Sequence, residues 1–343
     1  MDTQIITNPS DQELDSLARA LRNGELVSIP TETVYGLGAN GLDPEAMDKI
    51  YAAKGRPSDN PLILHVPNSE SIKPLVTAVS KTAQLLMDTF WPGPLTITLP
   101  KSDLVPDRAT GGLPRVALRC PDHKVCRALL ERTGVPVAAP SANISGRPSP
   151  TTAQDVYHDM KDRISYILDA GPCTIGVEST VVEVHDDKVI ILRPGGITKA
   201  QLETVVATVE YDTALVNATT KPKAPGMKYT HYAPDAPMTV VVGSPEGIAC
   251  TFKKLSEGIE GPIGCLVSHE TYNLIKDDTR FMCHCFGHHG DALSLGHDFY
   301  KSLLHFNENH VTLILAEGVN DDGFGVAIMN RMEKASGHHI IYK

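Results

Sequence analysis

The sequence predicts an α/β protein of two domains joined by a long linker: an N-terminal domain over 1–208, a linker over 209–237 and a small parallel α/β domain over 238–343. Three observations carry that expectation. Short apolar runs of strand length alternate with amphipathic stretches of helix length along most of the chain. Residues 210–237 break the pattern with a Pro- and Lys-rich tract that has no periodic apolar face. After residue 238 the alternation of strand and helix becomes regular, which is the pattern of a parallel sheet covered on both faces.

Taken in order, Ser10-Asp11-Gln12-Glu13 is a capping box, and Leu14, Leu17, Ala18 and Leu21 follow at helical spacing before Gly24. Residues 26–29 read as a buried strand that runs into Pro30-Thr31-Glu32-Thr33-Val34-Tyr35, after which Gly36 and Gly38 release the backbone. Asp43-Pro44 opens a helix that ends at Lys54-Gly55-Arg56, so two cations leave a helix end and enter a polar loop. That loop passes Asn60-Pro61 into a second strand ending at His65. A helix over 79–90, a hard turn at Trp91-Pro92-Gly93-Pro94 with Trp91 as a packing anchor, and the strand 95–99 come next.

Arg115 stands before a short strand and Arg119 at its end, four residues on and therefore on one face. The bland alternative makes them edge-strand charges. A helix over 122–132 and a strand over 136–139, ending at Ala139, lead into a run of small hydroxyl and amide residues that includes Ser141, Asn143, Ser145 and Ser149. Such a run lets backbone approach a phosphate closely. Residues 176–184 and 189–196 read as a β-hairpin over Asp186-Asp187, which brings Ser179 and Arg193 to the same end. A helix from Thr198 closes the first domain near Val206. The second domain reads as strands over 238–242, 263–267 and 311–316, a segment near 280–286, and helices from Pro245, over 291–307 and over 325–336.

Composition narrows the function classes. The formal net charge is -10 at pH 7, which counts against a protein that grips nucleic acid through a broad basic surface but leaves room for a basic pocket. No apolar run approaches the roughly 18 residues of a membrane span, the first residues have no secretory pattern, and seven cysteines without regular spacing suit reduced thiols. The expectation is a cytoplasmic protein with no membrane partner. Two signals mislead. Gly36-Leu37-Gly38-Ala39-Asn40-Gly41 matches the dinucleotide fingerprint in letters, but the glycines do not join a strand directly to a helix. Cys283, Cys285 and His288 look like metal ligands, yet their spacing is not that of a structural zinc site, and a loop with incidental thiols is the expectation.

With these residues in view, the chain resembles the two-domain L-threonylcarbamoyladenylate synthases, which join a YrdC-like catalytic domain to a C-terminal Rossmann-like domain. The resemblance is carried by Pro30-Thr31-Glu32-Thr33-Val34-Tyr35-Gly36-Leu37, Lys54-Gly55-Arg56 with Asn60-Pro61-Leu62, Ser141-Ala142-Asn143 with Ser145-Gly146, Gly176-Val177-Glu178-Ser179-Thr180-Val181, and Leu192-Arg193-Pro194-Gly195. The linker run Pro225-Gly226-Met227-Lys228-Tyr229 to His231-Tyr232-Ala233-Pro234 completes it. It implies a YrdC-like twisted mixed sheet with helices, and a reaction in which L-threonine, bicarbonate or CO2 and ATP give threonylcarbamoyl-AMP and pyrophosphate. The product would pass to the downstream transferase machinery that makes threonylcarbamoyladenosine in tRNA.

By the same resemblance, Arg56, Asn60, Arg115, Ser141, Ser149 and Arg193 contact ATP, with Tyr232 reaching it from the linker, whose aromatic content also suggests a segment that closes over the cleft. Thr33, His65, Arg119, Ser179 and the backbone at Ala139 form the L-threonine pocket, and Lys54, Arg56, Ser141 and Asn143 serve the chemistry. Mg2+ is expected with the ATP, carried by its phosphates without a carboxylate cage. Two other readings stay open at this level. One is an RNA- or nucleotide-binding module, in which tRNA would be contacted directly; the other is a YrdC-like domain of the kind associated with carbamoyltransferases.

Overall fold

The structure, a computed structural model, describes residues 2–215 and 231–343, so the 225–229 part of the linker motif lies outside the described residues. The chain divides into two units. The first takes Met1–Ser145, Ser149–Thr174 and Glu178–Tyr229; the second takes Gly146–Pro148, Ile175–Val177 and Thr230–Lys343.

In the first unit β1 (Gln4–Thr7) leads to α1 (Asp11–Arg22), whose start is fixed by the reciprocal Ser10–Glu13 capping box. Then come β2 (Val27–Ile29), β3 (Gly36–Asn40), α2 (Pro44–Lys54), β4 (Ile63–His65), α3 (Lys81–Phe90) and β5 (Leu95–Pro100). Asp43 caps α2 at one end, and Gly55, in the left-handed region at φ 63°, closes the other. The chain continues through α4 (Asp107–Thr110), β6 (Arg115–Arg119), α5 (Lys124–Thr133), β7 (Val137–Ala138), α6 (Ala153–Met160) and β8 (Tyr166–Asp169). The hairpin β9 (Thr180–Val184) and β10 (Lys188–Arg193), the short helix α7 (Lys199–Glu203) and β11 (Thr208–Tyr211) end it.

These strands form one mixed sheet in the order β1-β8-β2-β3-β7-β4-β6-β5-β9-β10-β11. Successive residues of β7 show how it is covered. Val137 packs with Leu17 and Leu21 of α1 and Leu129 of α5, while Ala138 belongs to the cluster containing Met47 and Ile50 of α2 and Val156 of α6. Because neighbouring strand residues point to opposite faces, the helices cover both sides.

Two expectations change, and two alternatives are excluded. Gly36 and Gly38 lie inside β3, which runs antiparallel to β2, so they do not release the backbone. Gly38 is required by proximity, since a Cβ there would stand 2.9 Å from Val27 O. The strand also removes the fingerprint reading structurally, because the glycines open no helix. β6 is central, paired with both β4 and β5, so Arg115 and Arg119 are not edge charges. Finally, α7 does not close the unit: β11 pairs parallel with β10 and carries the sheet to Tyr211, past residue 208.

The second unit has β12 (Met238–Val242), α8 (Pro245–Leu255), β13 (Ile263–Val267), α9 (His269–Ile275), β14 (Phe281–Cys285), α10 (Ala292–Glu308), β15 (Leu313–Glu317), α11 (Gly325–Ala335) and β16 (Ile340–Tyr342). Its sheet is all parallel, in the order β14-β13-β15-β12-β16. Cys265 packs with Ile248 and Phe252 of α8, whereas a Cβ on the preceding Gly264 would stand 2.7 Å from Phe306 of α10. Adjacent residues of β13 thus meet helices on opposite faces. Cys283 and Cys285, expected in a loop, are strand residues of β14. Among the described residues no helix is long and apolar enough to cross a membrane.

Candidate active site

Strand register gathers one polar rim in the first unit. In the parallel β4–β6 pair His65 stands beside Arg119. β5 runs antiparallel to β6, so its first residues, Leu95 and Thr96, lie at the Arg119 end. β9 is parallel to β5 with Thr180 opposite Leu95, which puts Ser179 at that end too, and antiparallel β10 returns Arg193 to it. The loop that follows β2 supplies Thr31, Glu32 and Thr33.

The contacts on this rim are short and buried. Arg119 Nη1 donates to Thr33 Oγ1 at 2.9 Å, and Arg119 Nη2 lies 2.7 Å from Glu32 Oε2. The Thr31 and Thr33 hydroxyls are 2.9 Å apart. Ser179 Oγ lies 2.8 Å from Thr96 Oγ1 and accepts from Arg193 Nη2 at 3.2 Å, while the same guanidinium group donates to Ser179 O at 2.9 Å. The hairpin therefore joins Ser179 and Arg193 as its pairing predicts. Ser149 Oγ donates to Glu178 Oε1 at 2.7 Å. Burial, reinforced by the Arg119 charge, holds the His65 imidazole down at about 3, so the ring is neutral at physiological pH. Its Nδ1 faces Ile63 O at 3.2 Å. The Glu32 charge adds to burial in pushing the Cys120 thiol up to about 11.

A second group lies around the end of α2. Lys54 was expected to leave the helix toward a ligand, but its side chain is buried, and its Nζ donates to Ser141 O and Asn143 O, both at 2.5 Å. Lys54 O accepts in turn from Ser145 N at 2.8 Å. Lysine thus ties the 141–145 loop to α2, and burial together with the Arg56 charge pushes its ammonium well below the usual lysine range. Arg56 Nη2 donates to Pro61 O at 3.1 Å. Asn60 is buried, its carbonyl accepts from the Tyr51 hydroxyl at 3.3 Å, and its side-chain Oδ1 has no hydrogen-bond partner among the described residues. The loop after β7 also zips onto β3: Leu37 N donates to Pro140 O at 2.7 Å and Ala142 N to Tyr35 O at 2.9 Å. Ala139 N is bonded to Ile63 O at 3.0 Å, which fixes the Ala139 backbone beside β4.

One expected residue stands elsewhere on the sheet, and another belongs to the second unit. Arg115 occupies the opposite end of β6, about 13 Å from Arg119 by strand rise, where its Nη2 donates to Thr98 O at 2.7 Å and Val184 O at 2.9 Å. Tyr232 belongs to the second unit; it is buried at φ 66°, with its ring 5.3 Å from that of Tyr300 and the Arg331 guanidinium 5.9 Å from its centre. Glu32, Thr31, Thr96 and Glu178 join the polar contacts although sequence reasoning singled out only their neighbours. The signal for Glu32 was its place between two threonines at a strand end; Thr96 reads as one more alternating residue of β5.

Buried arginines, convergent hydroxyls and a neutral imidazole on the rim of a mixed sheet define a site for a small polar, anionic ligand. The chain belongs to the Sua5/YciO/YrdC family: that family model, described as telomere recombination, matches residues 19–195, and the model described as the threonylcarbamoyl-AMP synthase C-terminal domain matches residues 197–337. It is 46% identical over 339 residues to the threonylcarbamoyl-AMP synthase of Bacillus subtilis, covering 98% of this chain and 96% of that protein. It is 42% identical to the threonylcarbamoyl-AMP synthase of Pyrococcus abyssi, covering 94% and 93%. Among solved structures, P. abyssi Sua5 complexed with L-threonine superposes with a TM-score of 0.91 at 40% identity, covering 99% of this chain and 100% of that one.

Proposed function

We propose that this chain is a threonylcarbamoyl-AMP synthase that joins L-threonine, bicarbonate or CO2, and ATP, for threonylcarbamoyladenosine modification of tRNA. The observation that carries the reading is the Arg119–Thr33 pair on the rim that also holds His65, Ser179 and Arg193, in a chain that matches threonylcarbamoyl-AMP synthases over nearly its whole length.

The chemistry asks for positioning more than for an enzyme nucleophile. The threonine amine adds to CO2, forming an N–C bond and losing a proton. A carbamate oxygen then attacks the α-phosphorus of ATP, forming an O–P bond as the bond to the pyrophosphate leaving group breaks. Two anions must approach each other, so the enzyme's task is to hold them and neutralise charge. Thr33, His65, Arg119, Ser179 and the Ala139 backbone are assigned to the amino acid. Arg56, Asn60, Ser141, Ser149 and Arg193 are assigned to the nucleotide, whose free phosphate oxygens suit guanidinium and hydroxyl donors. Asn60 Oδ1, which has no hydrogen-bond partner among the described residues, offers a bound ligand an acceptor. Lys54 and Asn143 shape the loop beneath. Arg115 and Tyr232 are assigned to ATP on the resemblance alone.

Mg2+ would be carried by the nucleotide's phosphates and water. Bound there, Mg2+ would neutralise phosphate charge. The product, a mixed anhydride, suits a transferase that delivers the threonylcarbamoyl group to tRNA.

Replacing Arg56 with alanine tests the assignment. The variant should keep the wild-type melting temperature and lose about a hundredfold or more in kcat/KM for adenylate formation. Wild-type turnover by a folded R56A protein would refute the role.

A further inference from the structure

Two thiols meet across the edge of the second sheet. β14 is the edge strand, and it pairs with β13 in a parallel register that sets Cys283 directly opposite Cys265. Register partners on neighbouring strands project to the same face, and here that face lies under α8. Cys265, 0% exposed, packs with Ile248 and Phe252, and the half-buried Cys283 and Cys285 lie against the same cluster. His284, between those two, points to the other face, where its Nε2 lies 3.3 Å from Asp298 Oδ2 of α10. The Cys265 and Cys283 thiols take matching orientations: each reaches toward the carbonyl two residues back on its own strand, Ile263 O at 4.0 Å and Phe281 O at 3.9 Å.

This placement suits a covalent bond. Neighbouring strands lie about 4.8 Å apart, inside the span of roughly 4.4–6.8 Å between Cα atoms that a disulfide bridges. Cys285 faces Val267 instead, so no thiol stands across from it. The two facing thiols are unequal. Accepting a hydrogen bond from Cys265 holds Cys283 below the usual thiol range, whereas burial pushes Cys265 well above it. The thiolate is the attacking species in thiol–disulfide exchange. Cys283, the accessible partner, therefore reacts first, and Cys265, closed to solvent, is reached only from inside the fold.

We propose that Cys265 and Cys283 form a reversible redox pair, oxidised to a cross-strand disulfide by a low-molecular-weight disulfide. Cys283 attacks and Cys265 resolves. In the first step the Cys283 sulfur bonds to one sulfur of the small disulfide, whose S–S bond breaks and releases one thiolate. In the second the Cys265 sulfur bonds to Cys283 and displaces the other small thiolate. The two cysteine protons end on the two released thiols, so one disulfide is reduced as the other is made. The new bond fastens the edge strand β14 to β13, and excess thiol undoes it.

The test treats the full chain with glutathione disulfide, blocks remaining thiols by alkylation and maps tryptic peptides by mass spectrometry, in wild type, C285S, C265S/C285S and C283S/C285S. Without Cys285, each of the two relevant peptides, 255–276 and 281–301, carries a single cysteine. Wild type and C285S should give these peptides joined, and excess dithiothreitol should return both to free thiols. In C265S/C285S the 281–301 peptide should stop as the glutathione mixed disulfide. In C283S/C285S the 255–276 peptide should stay a free thiol, modified at least about tenfold more slowly than Cys283 in C265S/C285S. Melting temperatures within a few degrees of wild type show that the variants keep the fold. Folded C285S that never yields the joined peptides, or yields them only after unfolding in urea, overturns the pair, and this arm leaves both proposed thiols in place. A Cys283 mixed disulfide that persists with Cys265 present overturns the resolving role. Rapid modification of Cys265 in folded C283S/C285S overturns the order of attack.

Discussion

His65 and Lys54 are both basic residues whose burial shifts them down from their ordinary range. For His65 the consequence is a pH signature. The folded state holds the imidazole near 3 instead of the ordinary 6.5, so the unfolded chain takes up the proton first as pH falls. Stability should therefore decline from about pH 6.5 toward pH 3, with one proton contributing a slope of up to about 1.4 kcal/mol per pH unit. H65Q, which cannot titrate, should flatten that part of the urea-midpoint-against-pH curve; an unchanged slope would count against the buried neutral ring. Lys54 supports two loop carbonyls, Ser141 O and Asn143 O. K54M should remove this donor from both and lower unfolding free energy by about 2–5 kcal/mol, measured by urea denaturation, together with a loss of adenylate formation as the 141–145 loop loosens.

At the scale of elements, the β9–β10 hairpin is what couples Ser179 to Arg193, and its closure leaves no room at Gly195. A Cβ there would stand 2.4 Å from Glu178 O and from backbone atoms of Ser179 and Thr180. G195A should cost about 1–3 kcal/mol in denaturation and weaken threonine binding by displacing Ser179, whereas a neutral outcome would mean the hairpin end gives way freely. This hairpin was legible in the sequence because β-branched runs flank an Asp-Asp turn, and pairing geometry alone brings residues 179 and 193 together. The strand β3 was not legible. Gly38 is explained by the approach of Val27 O and Val137, a tertiary fact that local propensity reads as a break. The same limit hid Glu32, whose importance comes from burial against Arg119 across the sheet, 87 positions away in the chain. Arg115 shows a further limit: residues four apart on a strand share a face but not an end, and at the far end of β6 Arg115 donates to Thr98 O and Val184 O.

The described residues form two sheets, one mixed with eleven strands and one parallel with five, and the alternation that predicted an α/β chain in two parts is visible in both. Most strands and helices of the second unit fall where apolar periodicity put them; α9 and β16 escaped because seven and three residues are too short to show a period. The end of the first unit was placed too early because β11 has only four residues. Its pairing with β10 makes a prediction: a fragment of residues 1–215 should melt cooperatively, and one of residues 1–207, which bares the β10 edge, should melt several degrees lower or aggregate. Equal melts would remove β11 from the structural account. The functional claim is tested most directly by mass-spectrometric detection of the adenylate with each substrate left out in turn. Threonylcarbamoyl-AMP and pyrophosphate should form only when L-threonine, bicarbonate and ATP are all present, and ATP cleavage that proceeds without threonine, or no adenylate with all three, would contradict it.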